Sequence, residues 1–100
     1  MTVIVVGRIV VKRESLDRFL EEVEKLETLT RAEDGCETYA LALDNAATGE
    51  IAVVECWRDE PALRAHLETA HVKHFIETCG PMIESTEARL FDALNGRPVL

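Results

Sequence analysis

Little in this chain points to nucleic acid, membranes or reactive sulfur. Eleven basic side chains stand against nineteen acidic ones, a net charge of −8, and no lysine or arginine cluster offsets it. Phosphate backbones and anionic bilayers repel such a surface, so neither is an expected partner. Cysteine occurs three times, at Cys36, Cys56 and Cys79, with no C-x-x-C pair and no even framework. Small buried thiols in a reducing compartment are expected rather than disulfides or redox chemistry. No apolar run approaches a bilayer span and no basic-then-apolar leader opens the chain, so the expected setting is soluble and cytoplasmic. There is no Gly-rich phosphate loop and no dinucleotide fingerprint, so a tightly bound nucleotide or flavin has no visible seat, and the H-E-x-x-H spacing of a zinc site is absent too. His71 and His74, with Glu68 or Glu77 nearby, share a helix face, but their spacing favours a metal-free pocket over a metal site.

What is present fits one domain over residues 1–100, with enough chain for one modest core. Thr2 to Lys12 is β-branched and apolar, with Val3, Val5, Ile9 and Val11 on one face and Ile4, Val6 and Val10 on the other. Ser15 is placed to cap a helix whose Leu16, Phe19, Leu20, Val23, Leu26 and Thr30 recur at helical spacing; Glu33-Asp34-Gly35 ends it. Cys36 to Asp44 and Ile51 to Arg58 read as strands joined by an Asn45–Gly49 turn. Asp59-Glu60-Pro61 starts a short helix to about Glu68. Thr69 starts another that Gly80-Pro81 stops, and Ile83 to Leu94 is a last strand.

Strand, helix, strand, strand, helices, strand is the ferredoxin-like split βαβ order, an α+β fold. It has a four-stranded antiparallel sheet with helices on one face. Helices cover one side only, yet the first and third strands are apolar on both. The second face is therefore expected to pack on a partner sheet in a two-fold homodimer.

Chemistry concentrates between Glu55 and Phe75. Glu55 and Trp57, the single tryptophan, lie two apart on the third strand and share a face with Ile51 and Val53. A carboxylate there needs a partner, for which Arg8 and Arg89 are the candidates, or a role in a site. His66 falls on the buried stripe of its helix with Leu63 and Leu67, and His71 lies one turn before Phe75. Two inward imidazoles beside a tryptophan suggest a pocket able to move protons near neutrality.

The run Glu55-x-Trp57-x-Asp59-x-x-Ala62-Leu63-x-x-His66-Leu67-x-x-x-His71-x-x-x-Phe75 resembles the antibiotic biosynthesis monooxygenase (ABM) domain family. Length and element order agree over essentially the whole chain. The resemblance implies a dimeric α/β barrel and cofactor-independent oxidation of a quinol-like or aromatic small molecule by O₂. It gives Trp57 the role of orienting substrate and His66 and His71 that of proton transfer. Glu55, Phe19, Tyr39, Leu67 and Phe75 would contact substrate. Strand one lacks the asparagine of the haem-degrading branch, and Val53 stands where the polyketide-oxidising branch carries an amide, so a quinol-type substrate is expected. An isomerase or lyase acting on a small phosphorylated metabolite, using Arg8, Arg58 or Arg89, is the alternative chemistry. A non-catalytic dimeric binding module is the other reading.

Overall fold

A computed structural model describes residues 1–100. Strands β1 (Thr2–Val11), β2 (Cys36–Asn45), β3 (Glu50–Trp57) and β4 (Ile83–Ala93) alternate with helices α1 (Leu16–Arg31), α2 (Glu60–Leu67) and α3 (Ala70–Cys79). The sheet order is β2-β3-β1-β4, with every neighbouring pair antiparallel, as the split βαβ pattern requires. Boundaries agree with the sequence reading to within a residue or two, apart from two 3₁₀ turns at Arg13–Ser15 and Gly80–Met82. The first of these carries the chain into α1, so Ser15 stands at the helix start without a side-chain capping bond. No helix is long and apolar enough to cross a membrane.

Period-two alternation decides the faces of the sheet. Val3, Val5, Ile9 and Val11 of β1 are buried beneath the helices with Ile51, Val53 and Trp57 of β3 and Tyr39 and Leu41 of β2. Above them α1 lays down Phe19, Val23, Leu26 and Thr30, a spacing of three to four that keeps one stripe inward. The Phe19 ring meets Phe75 of α3 edge to face at 5.5 Å, tying the two helices together.

The other face of the sheet is uncovered. Val6 is 49% exposed, Val54 43% and Phe91 46%, which makes an apolar patch at one end of that face. At the other end Arg8 bridges Asp44 and Glu50, both at 2.7 Å.

Two glycines fix geometry that matters for the site. Gly35, in the turn between α1 and β2, has φ 86°, a region where a side chain is strained, and a Cβ there would stand 2.6 Å from that of Ala62. Its carbonyl accepts from Arg58 N–H at 2.8 Å, pinning the turn that carries Glu33 to the end of β3. Gly7 of β1 lies opposite Ala88 of β4, so close that a Cβ would fall 2.3 Å from the Glu87 carbonyl oxygen.

Candidate active site

The end of β3, the α1–β2 turn and the junction of α2 with α3 converge on one carboxylate oxygen. Oε2 of Glu33 lies 2.7 Å from His66 Nδ1 and 2.7 Å from His71 Nε2. An ionised carboxylate only accepts, so each ring nitrogen facing it donates its N–H. In the neutral imidazole that arrangement puts the His66 hydrogen on Nδ1 and the lone pair on Nε2, which has no protein hydrogen-bond partner. A carboxylate behind an imidazole is the arrangement by which a histidine is held ready to take a proton.

Local sequence explains each placement. Asp59 caps α2 by accepting from Ala62 N–H at 2.9 Å, with Pro61 in the first turn. Thr69 then joins the two helices: its hydroxyl donates to the His66 carbonyl at 2.7 Å and accepts from Val72 N–H at 3.3 Å. The cap therefore sets the break that lets His66, at the end of one helix, and His71, at the start of the next, aim at the same oxygen. The rings stand 6.1 Å apart.

Beside His66 lies Trp57, fully buried, with ring centroids 4.7 Å apart and planes tilted by 39°. Its Nε1–H donates to Glu55 Oε1 at 2.9 Å. Burial raises the Glu55 carboxyl above its ordinary range, and the indole hydrogen bond partly opposes that shift. Tyr39 packs edge-on against both Trp57 and His66, at 6.4 and 5.2 Å. Burial first, and the nearby carboxylates second, hold its phenol well above the usual value, so it stays neutral.

A cavity of about 280 Å³ opens against this cluster. Tyr39, Glu55, His66, Leu67, Phe75 and Thr86 are among its lining residues, and the rest of the wall is mostly aliphatic. A larger hollow of about 740 Å³ lies on the outer side of α1 among Glu21, Glu24, Lys25, Thr28 and Leu29. It touches none of these groups, and its mostly charged and polar rim suits solvent better than an aromatic ligand.

Of the residues expected at a site, Tyr39, Glu55, His66, Leu67 and Phe75 reach the cavity. Leu67 is 41% exposed, at the rim of its helix rather than on the buried stripe. Trp57 and His71 do not line the cavity. Trp57 lies behind His66 as packing, and His71 reaches His66 through Glu33. Phe19 is a correction: it is wholly buried between α1 and α3, a core residue with no access to the cavity.

The arginine partners for Glu55 are also corrected. Arg8 and Arg89 project from the opposite face of the sheet, and Arg58 is held by Asp34 and Asp59. None of the three lines the cavity, which leaves it without the cation a phosphorylated ligand needs.

Glu33 is the residue that sequence reasoning missed. It stands in a Glu-Asp-Gly helix terminator, where acidic residues are ordinary, and no spacing rule links it to histidines thirty-three and thirty-eight positions later.

A family model described as "Antibiotic biosynthesis monooxygenase" matches residues 2–78. "Putative monooxygenase YcnE" of Bacillus subtilis (strain 168) is 36% identical over 66 residues, covering 66% of this chain and 70% of that protein. The solved structure of Rv0793 from Mycobacterium tuberculosis superposes with a TM-score of 0.86 at 24% identity, over 98% of this chain and 100% of the other. A crystal structure described as an antibiotic biosynthesis monooxygenase gives 0.84 at 26% identity, over 93% and 99% of the two chains. The family model takes in the β3–α2–α3 segment with Glu55, Trp57, His66, His71 and Phe75, and the chain belongs to the antibiotic biosynthesis monooxygenase family.

Proposed function

We propose that the protein is a monooxygenase that oxidises a small hydroquinone or phenol with O₂, without a bound cofactor, and works as a homodimer. The observation that carries this reading is the Glu33–His66 pair at the wall of an apolar cavity. A phenol bound with its hydroxyl at His66 Nε2 loses its proton there, and Glu33 stabilises the imidazolium that forms. The electron-rich phenolate then supplies the electrons that O₂ accepts. One oxygen atom enters the ring and the other leaves as water, so a hydroquinone gives a hydroxyquinone. Aliphatic walls and Phe75 exclude bulk water from the reactive carbanion-like ring. The neutral Tyr39 phenol and the Glu55 carboxyl supply polar contacts for the ring's second oxygen.

Volume bounds the substrate. Ligand pockets commonly span roughly 300–1,000 Å³, so a cavity of about 280 Å³ suits one or two fused rings. The apolar patch of Val6, Val54 and Phe91 supports the dimer, because a soluble chain gains by covering such a surface with a second copy.

The test is oxygen uptake with reduced naphthoquinones. Wild type consumes O₂ above the uncatalysed rate, and His66→Ala loses about 10²–10⁴-fold. Equal background uptake by both proteins contradicts the proposal. Substrate conversion that proceeds under strict anaerobiosis contradicts it as well.

A further inference from the structure

We infer that Glu33, His66 and His71 also form a binding site for a borderline divalent transition metal such as Zn²⁺ or Co²⁺, and that a bound ion switches off proton abstraction at His66. The second half of this inference rests on the assignment of His66 as the base; the first half does not.

The donor set comes from three separate segments, the α1–β2 turn, α2 and α3, and all its ligand atoms lie within 4.8 Å of one another. Two imidazole nitrogens with one carboxylate oxygen are donors that suit these ions. Tetrahedral ligands each about 2.1 Å from an ion stand about 3.4 Å apart. Both N···O separations here are 2.7 Å, so roughly 0.7 Å of movement on each side opens the oxygen to an ion. The ring nitrogens, which lie within 4.8 Å of one another, close to the same separation of about 3.4 Å.

Charge favours the ion. The Glu33 side chain is 14% exposed, and the imidazoles are its sole side-chain partners; no lysine or arginine forms an ion pair with it. A largely buried carboxylate with no lysine or arginine beside it gains from a full positive charge. An entry path is present, since Glu33 borders one surface hollow, with Asp34 and Arg58, and His71 borders another, with His74 and Leu29.

Occupancy and catalysis exclude each other for a chemical reason. A metal takes the Nδ1 lone pair of His66, which transfers the ring hydrogen to Nε2. The atom facing the cavity then donates instead of accepting, and a substrate hydroxyl has no base. The same three side chains therefore hold two hydrogens in the active form and one ion in the inactive form.

Isothermal titration of the full-length, chelator-treated protein with ZnCl₂ tests the site. Co²⁺ absorption spectra report the ligand set, and thermal melts confirm that each variant is folded. One ion per chain is expected. Affinity should fall at least tenfold in Glu33→Gln and in the more conservative pair His71→Gln and His71→Asn, and remain unchanged in His74→Ala. Zn²⁺ should abolish oxygen uptake in wild type at the concentration that fills the site. Failure of wild type to bind more tightly than Glu33→Gln overturns the metal site, whatever the activity. Stoichiometric binding that leaves uptake intact keeps the site and overturns the switch, because the base would then lie elsewhere.

Discussion

The Trp57 indole lies against the His66 imidazole at a centroid separation of 4.7 Å, while its N–H is spent on Glu55. A fully buried ring thus sets the plane of the imidazole from behind and holds a cavity-facing carboxyl from the side. Trp57 does not line the cavity itself, so its contacts with what the cavity holds run through these two groups.

Trp57→Phe separates those roles. Phenylalanine keeps an aromatic surface behind His66 but leaves Glu55 without its donor. Loss of one partner of a buried hydrogen bond costs about 1–3 kcal/mol. Urea denaturation should show a drop of that size. Oxygen uptake should fall less than in His66→Ala, because the base survives.

Glu55 predicts a pH dependence. Burial raises its carboxyl above the ordinary 4.5, so the folded state binds its proton more tightly than the unfolded chain. The stability this provides is complete below the unfolded value and is lost as pH rises through the folded one. Glu55→Gln keeps the shape and carries no charge. Its melting temperature should match wild type near pH 4 and exceed it at neutral pH by about 2–5 °C. A difference that does not change with pH would place the carboxyl in water.

Gly7 couples the sheet to the cavity wall. A Cβ added there meets the Glu87 carbonyl oxygen at 2.3 Å and the Ala88 Cα at 2.6 Å, both backbone atoms that yield only if β4 moves. Gly7→Ala should cost roughly 1–3 kcal/mol as overpacking. Because Thr86 and Ala88 line the cavity, KM should rise more than kcat falls. Steady-state kinetics beside a denaturation curve checks both.

Much of this fold was legible because two periodicities are clean. Val3, Val5, Ile9 and Val11 alternate at two, Phe19, Val23, Leu26 and Thr30 recur at three and four, and each set proves to be the buried one. The tryptophan and the two histidines were legible as a group because they lie within fifteen residues, and the structure brings their rings side by side. Periodicity could not separate site from core, however. Phe19 and Phe75 have the same pattern and touch each other, yet only Phe75 reaches the cavity.

Glu33 illustrates the opposite limit. Its role is created by the tertiary fold, by a glycine turn pinned to β3 and a threonine that breaks α2 from α3. Neither feature marks the carboxylate in the sequence. A half-buried acid whose side-chain partners are both imidazoles is recognised only when three separate segments are seen together.

The most direct test of the account is the steady-state rate of Glu33→Gln on a reduced naphthoquinone. Glutamine matches the shape of the side chain but cannot stabilise an imidazolium, and it no longer enforces the Nδ1–H tautomer. The account predicts kcat lower by about 10²–10⁴-fold with KM little changed. A folded Glu33→Gln protein that turns over at the wild-type rate would contradict it.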